Sequence, residues 1–338
     1  MVRRILITLV LVLVASGAAI AWVWWHAQPK PIGEAYVGMA DLALWDGNGP
    51  VRRRIEALPY GEKLVVLDRY GDSVEVRTPK GNSGWVDQGD LIEAATWQRL
   101  GELAAQVRAM TVQARGHTSV LSNLHIAPGR TSARVGQLRR NTPVEILARG
   151  VAVRGGGGNA ARGPGARPRK EDWLLVRART EQMGEIAGWV LADFIDDDVP
   201  GQLGAYISST GMRPVAWFEL TKINDPTLGP KPYYLVAGTA GPEGQSCDFT
   251  MLRVYTWSIA HRQYETAFVQ NGLCGRLPIQ VMLESNAQRG VLFHFQDLGP
   301  AGASTLTYRM QSTLVRLLRP AGPKGRGRGR NRARSLRR

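Results

Sequence analysis

The feature that constrains this chain most is a hydrophobic rhythm written twice. Residues 55–68, IEALPYGEKLVVLD, align without a gap on residues 135–148, VGQLRRNTPVEILA, at a constant offset of 80. Ile55 matches Val135, Leu58 matches Leu138, Leu64 matches Val144, Val66 matches Ile146 and Leu67 matches Leu147. The second half of the unit repeats too. SVEVR at 73–77 answers WLLVR at 173–177, Gly84-Trp85-Val86 answers Gly188-Trp189-Val190, and Asp90-Leu91-Ile92 answers Asp193-Phe194-Ile195. A repeat of this kind predicts one supersecondary unit folded twice.

Within each copy, apolar and polar residues alternate over short runs. Turn signals such as Tyr60-Gly61, Tyr70-Gly71-Asp72 and Lys80-Gly81-Asn82 separate them. About five short strands in about 60 residues suit a small, partly closed barrel with few free edges. The offset grows to 100 at residues 173–177 because the second copy carries GGGGNAARGPGARPRK at 155–170. A stretch so rich in Gly, Pro and Arg cannot bury a core, so residues 151–170 are expected to be a disordered insert.

Between the copies, residues 91–110 place Leu91, Ala95, Leu100, Leu103, Ala104, Val107 and Met110 at the spacing of an amphipathic helix, expected to pack on one barrel. Residues 203–320 read as an antiparallel β domain. Its strand-like runs are RPVAWFEL, PYYLVAG, FTMLRVYTW, YETAFV, PIQVML, VLFHF and TLTYRM, with a hairpin turn at SIAHRQ. The fold class is therefore mainly β: two tandem small barrels at 37–95 and 112–199 joined by a helix, then the third domain.

Residues 5–25 form an uncharged apolar run, about 32 Å long as a helix and enough to cross a bilayer. Arg3 and Arg4 precede it, which would keep the N-terminus in the cytoplasm and the bulk outside it. Trp22, Trp24 and Trp25 fit an interfacial belt at the outer end of a membrane anchor, whereas Ala19-Ile20-Ala21 offers the alternative of a cleaved signal peptide and secretion. Residues 1–30 are thus expected to be an inner-membrane anchor or a signal peptide.

Cys247 and Cys274 are the only cysteines, and an oxidising compartment would let them join. The net charge is +15, and its location matters more than its size. Eight Lys or Arg lie in 324–338 and five in 154–170, with no acid in either stretch; with Arg3 and Arg4 they account for the whole excess. Charge confined to tails and a loop argues against a structured nucleic-acid surface. The tail at 321–338 is expected to be disordered, with Arg326, Arg328, Arg330, Arg332 and Arg334 able to fork onto anionic lipid or an acidic polymer.

The chemistry-bearing residues are sparse. No HExxH, G-x-S-x-G, phosphate loop or dinucleotide fingerprint occurs, and the glycine run at 155–158 opens no helix. No metal site and no cofactor is expected, and His294 in Phe-His-Phe reads as a half-buried strand residue.

The run G-x-L followed by V-x-V-L, the W-x-x-V-R strand and the closing G-W-V resemble bacterial SH3-like domains. The second copy adds Ser122-Asn123-Leu124-His125-Ile126-Ala127-Pro128-Gly129 where that family has its (L/V)-R-x-x-P-(G/S) opening; the first copy has Gly47-Asn48-Gly49-Pro50 there. The resemblance covers residues 37–95 and 112–197. It implies two SH3-like barrels that bind through exposed aromatic side chains, here Trp45, Tyr60, Tyr70 and Trp173, with Trp85 and Trp189 partly in the core. The implied role is a non-catalytic envelope protein recognising peptidoglycan peptides or an envelope protein partner.

Two alternatives stand beside it. Cell-wall hydrolases often carry such targeting domains, which would put an active site in 203–320. Cys247, in Gln-Ser-Cys-Asp-Phe, leads into a strand rather than a helix and lacks the setting of a thiol nucleophile. The other alternative is polyanion binding through the Arg-rich tail.

Overall fold

The computed structural model describes residues 30–154, 168–283, 290–300 and 302–318. The expected anchor at 5–25, most of the insert and the basic tail lie outside the described residues. Among those described, no helix is long and apolar enough to cross a membrane.

The protein is mainly β: the described residues form three antiparallel sheets of seven strands each. The first comprises β1 (Gly33–Val37), β2 (Leu42–Trp45), β3 (Arg54–Leu58), β4 (Lys63–Tyr70), β5 (Ser73–Arg77), β6 (Ser83–Asp87) and β7 (Leu91–Glu93). The second comprises β8 (Ala114–Thr118), β9 (Ser122–His125), β10 (Arg134–Leu138), β11 (Pro143–Val153), β12 (Lys170–Thr180), β13 (Gly184–Leu191) and β14 (Ile195–Asp197).

The strand orders are β3-β2-β6-β5-β4-β1-β7 and β10-β9-β13-β12-β11-β8-β14. Each strand of the first sheet has its counterpart at the same place in the second, so the duplicated rhythm is a duplicated topology. Seven strands form in each where about five were expected; the three-residue closing strands β7 and β14, too short to leave a pattern, account for one of the two extra strands in each sheet. Residues 151–153 extend β11 and Lys170 opens β12, so the ends of the expected disordered insert are strand.

Burial follows the alternation. In β5, Val74 and Val76 face the core while Ser73, Glu75 and Arg77 are half-exposed. Val37, Leu44, Leu58, Leu64, Val66 and Val86 complete the first core. Leu138, Val144, Ile146, Leu147 and Val190 are buried at the matching places of the second sheet; Val135 is buried too, whereas Ile55, its partner in the repeat, is 42% exposed. Each such side chain contributes about 1.5–3 kcal/mol when fully buried.

One matched triplet needs correcting. The registers pair Leu91 with Val37 and Ile195 with Thr118. Gly38 donates to the Asp90 carbonyl, and Ser119 donates to that of Phe194. Ile195 is therefore equivalent to Leu91, not to Ile92. Burial differs at these equivalent places: Ile92 is buried where the second copy has exposed Asp196, and Ile195 is buried where the first copy has half-buried Leu91.

The connecting helix, α1 (Ala94–Arg108), is shorter than the expected 91–110 because residues 91–93 are claimed by β7. Its buried residues are Thr96, Leu100 and Val107; Ala95, expected in the stripe, is exposed. The helix touches both sheets rather than one, packing near β1 and β7 and near β10 and β13. Arg177 on β12 donates to the Val107 carbonyl at 3.1 Å, satisfying one of the orphan acceptors of the helix C-terminus.

By its internal contacts the chain forms two compact units. The first holds both sheets and α1, within residues up to 110, 115–146 and 150–197; the second holds 111–114, 147–149 and the described residues from 198 onward. The second unit opens with α2 (Gly201–Ser208), absent from the sequence expectation. The third sheet follows: β15 (Arg213–Asp225), β16 (Gly229–Thr239), β17 (Phe249–Ser258), β18 (Gln263–Leu283), β19 (Val291–Gly299), β20 (Gly302–Gln311) and β21 (Leu314–Leu318).

Each strand of this sheet pairs with the next in sequence, a simple meander. The expected separate runs YETAFV and PIQVML are one long strand, β18. Its register slips against β19 between Arg276 and Gln280, next to Pro278, which has no N–H for the ladder. The core holds Phe249 edge-on to Phe295 and Phe293 stacked on Tyr308, while Leu203 and Ile207 of α2 join it.

Candidate functional site

The aromatic residues of the first unit fall into two groups. On the first sheet, Trp45 of β2 lies directly opposite Trp85 of β6, and Trp85 lies opposite Glu75 of β5. Both indoles are half-buried, on the face away from the core, since their neighbours Leu44, Gly84 and Val86 point inward. The Arg52 guanidinium sits 4.6 Å from the Trp45 ring centroid. Arg52 also approaches Asp87 at 3.9 Å, and next to it Val51 is 96% exposed. The result is an indole row bordered by charge and open to solvent.

Gly84 makes the row possible. A side chain there would meet the Trp45 carbonyl at 2.5 Å, so only glycine lets β2 and β6 approach closely enough to set the two indoles side by side.

The second sheet repeats the row with different chemistry: Trp189 of β13 lies opposite His125 of β9, and opposite Leu175 of β12. His125 occupies the place of Trp45. Its Nδ1 lies 2.7 Å from the Ser132 carbonyl oxygen, so Nδ1 carries the proton. Burial lowers its pKa below the usual 6.5, with the bond to Ser132 opposing and the positive charges of Arg134 and Arg130 reinforcing the shift.

The four expected binding residues part ways here. Trp45 belongs to the indole row. Tyr70 is 72% exposed at the tip of the β4–β5 hairpin. Trp173 is 2% exposed and edge-on to His125 at 5.2 Å, so its ring offers no face to a ligand. The two residues before it explain this: Glu171 and Asp172 are buried as well, so β12 enters the fold earlier than the first copy's β5 does.

Tyr60 is also committed elsewhere. Its hydroxyl donates to the Val135 carbonyl at 2.6 Å, joining the first copy to β10 of the second, and burial raises its phenol well above the usual range. Its ring leans on Trp97 of α1 at 5.8 Å, and Trp97 stacks on Tyr36 of β1 at 4.8 Å. Tyr36, Trp97 and Tyr60 thus form a joint holding helix and sheets together. Gly61, at φ +79°, turns the chain beneath Trp97 where a side chain would come within 2.8 Å of the ring.

In the second unit, Cys247 and Cys274 form a disulfide. The segment carrying it is held by other bonds too: Leu277 N–H donates to Asp248 Oδ2 at 2.8 Å, Arg276 approaches Asp248 at 3.4 Å, and Cys274 N–H donates to Asp297 Oδ1 at 2.8 Å. His261 lies in the β17–β18 turn, exposed, with Nδ1 2.5 Å from Glu265 Oε1. His294 on β19 is half-buried. No cluster of three or more His, Cys, Asp or Glu able to hold a metal occurs among the described residues. Arg326, Arg328, Arg330, Arg332 and Arg334 lie outside them.

No family model and no curated protein matches the sequence. Among solved structures, the chain is similar to an NlpC/P60 family protein from Bacillus cereus at 15% identity and a TM-score of 0.21, covering 54% of this chain and 64% of that one. NlpC2 from Trichomonas vaginalis gives 11% identity and a TM-score of 0.18, covering 73% of this chain and 99% of that one. Correspondence this slight fixes neither fold nor activity.

Proposed function

We propose that the first unit is a pair of SH3-like barrels acting as a non-catalytic binding module in the cell envelope, with peptidoglycan peptides as its ligand. The observation that carries this reading is the Trp45–Trp85 row. Two indoles side by side, kept out of the core and flanked by Arg52 and Asp87, offer a flat apolar surface with hydrogen-bonding groups at its border. Such a surface contacts peptide backbone or small side chains at low entropic cost.

The resemblance of residues 37–95 and 112–197 to SH3-like domains supports it, as does the matching strand order of the two sheets. The envelope placement rests on residues 5–25 and on the disulfide, which an oxidising compartment would preserve. In the second unit, the disulfide takes Cys247 out of use as a thiolate nucleophile, which speaks against the hydrolase alternative.

The experiment is co-sedimentation of the full chain, in mild detergent, with purified insoluble peptidoglycan. Retention at low salt without release of soluble fragments is the expected result. Release of fragments, lost on Cys247→Ala or His261→Ala, would establish the hydrolase instead.

A further inference from the structure

Between the two copies, within the first unit, lies a cleft of about 410 Å³. Buried Ala35, Ile92 and Thr96 form its floor; Leu91, Ala133, Arg69, Gln88, Glu93 and Arg134 line the rest. The walls are fixed. The Arg134 guanidinium, entering from the second copy, donates to the Gly89 carbonyl and to Asp90 Oδ1, and Tyr60 ties the same two copies together through Val135. Thr96 Oγ1 accepts from Arg99 at 2.9 Å, which leaves its own O–H to donate.

The charges on this rim do not all cancel internally. Arg134 is matched by Asp90 at 2.5 Å. That leaves Arg69 and Glu93, both exposed, whose side chains make no hydrogen bond or ion pair among the described residues. An exposed cation and an exposed anion thus border one small cleft without pairing with each other. A plain anion would be repelled by Glu93 and a plain cation by Arg69, so the arrangement selects against both.

We infer that this cleft is a binding site for a small zwitterion, a free amino acid or short peptide with a small apolar side chain. The ligand's carboxylate would face Arg69, its ammonium Glu93, and its side chain the Ala35–Ile92 floor. Gln88, which can both donate and accept, and the Thr96 hydroxyl stand ready for the peptide bond. The site is distinct from the Trp45–Trp85 row, uses none of its residues, and stands or falls separately from the function proposed above.

The test is calorimetric titration of the full chain in detergent with L-alanyl-L-alanine, its N-acetyl derivative and its C-terminal amide. Each charged contact at such a rim is expected to give about a tenfold preference, so the unblocked dipeptide should bind about tenfold more tightly than either derivative. Arg69→Gln should remove only the preference over the amide, and Glu93→Gln only that over the acetylated form. Both residues are exposed, so neither change disturbs a core; circular dichroism checks that the variants are folded. Equal binding of the three compounds, no binding up to about 10 mM, or preferences that survive both substitutions would overturn the assignment.

Discussion

Single residues decide how closely strands approach and which side chains reach solvent. At Gly84 an added Cβ would lie 2.5 Å from the Trp45 carbonyl and 2.9 Å from Leu44, whereas at Gly188, its counterpart, the nearest atoms are at 3.1 Å. Gly84→Ala should therefore cost about 1–3 kcal/mol, and Gly188→Ala less, in thermal unfolding of the first unit. His125 gives a pH signature. Because burial lowers its pKa in the folded state, the unfolded chain binds the proton more readily once pH falls below about 6.5. Stability present above that value is lost as pH drops toward the folded pKa, and His125→Gln should flatten the slope of stability between about pH 7 and 5. The sequence placed aromatic residues on the candidate surface by kind, and their fates were settled by alternation. Trp85 is flanked by inward Gly84 and Val86 and must point out, while Trp173 follows buried Glu171 and Asp172, a run in which the period of two is lost.

Elements were legible wherever the period was long and clean. The strands around Leu64–Leu67 and Val144–Leu147 follow from their alternation, and α1 follows from Leu100 and Val107, yet β7 and β14 are only three residues long, and β7 took residues the helical pattern had claimed. Likewise α2, with eight residues and no side-chain cap on its first turn, left no start signal. The long β18 looked like two strands because Asn271-Gly272 and Pro278 read as breaks; Gly272 sits at φ +72° and the strand continues through it. The disulfide belongs to this scale. Its 27-residue separation predicts about 3–4 kcal/mol from the constraint on the unfolded chain. Cys274→Ala should lower the unfolding temperature of the second unit and leave that of the first unchanged, as separate transitions in differential scanning calorimetry would show. Because Asp248 and Asp297 hold the same segment, the far-ultraviolet circular dichroism of the variant should match the parent at 25 °C.

At the scale of the whole molecule, the sequence repeat at an offset of 80 became two sheets with one strand order, and the charge pattern pointed to tails rather than to a folded face. What the repeat could not convey is that α1 and the Tyr36–Trp97–Tyr60 joint bind the copies into one unit, since those contacts join residues with no shared periodicity. The cleft between the copies exists only because of that joining. The central claim is that a folded aromatic face, and not the Arg-rich tail, gives this protein its affinity for the cell wall. Co-sedimentation with insoluble peptidoglycan over a range of salt, comparing deletion of residues 322–338 with the pair Trp45→Ala and Trp85→Ala, tests it most directly. The account predicts that the tail deletion keeps most of the retention while the double tryptophan variant, still folded, loses about tenfold or more in affinity. Loss of retention on deleting the tail, with full retention by the tryptophan variant, would contradict it.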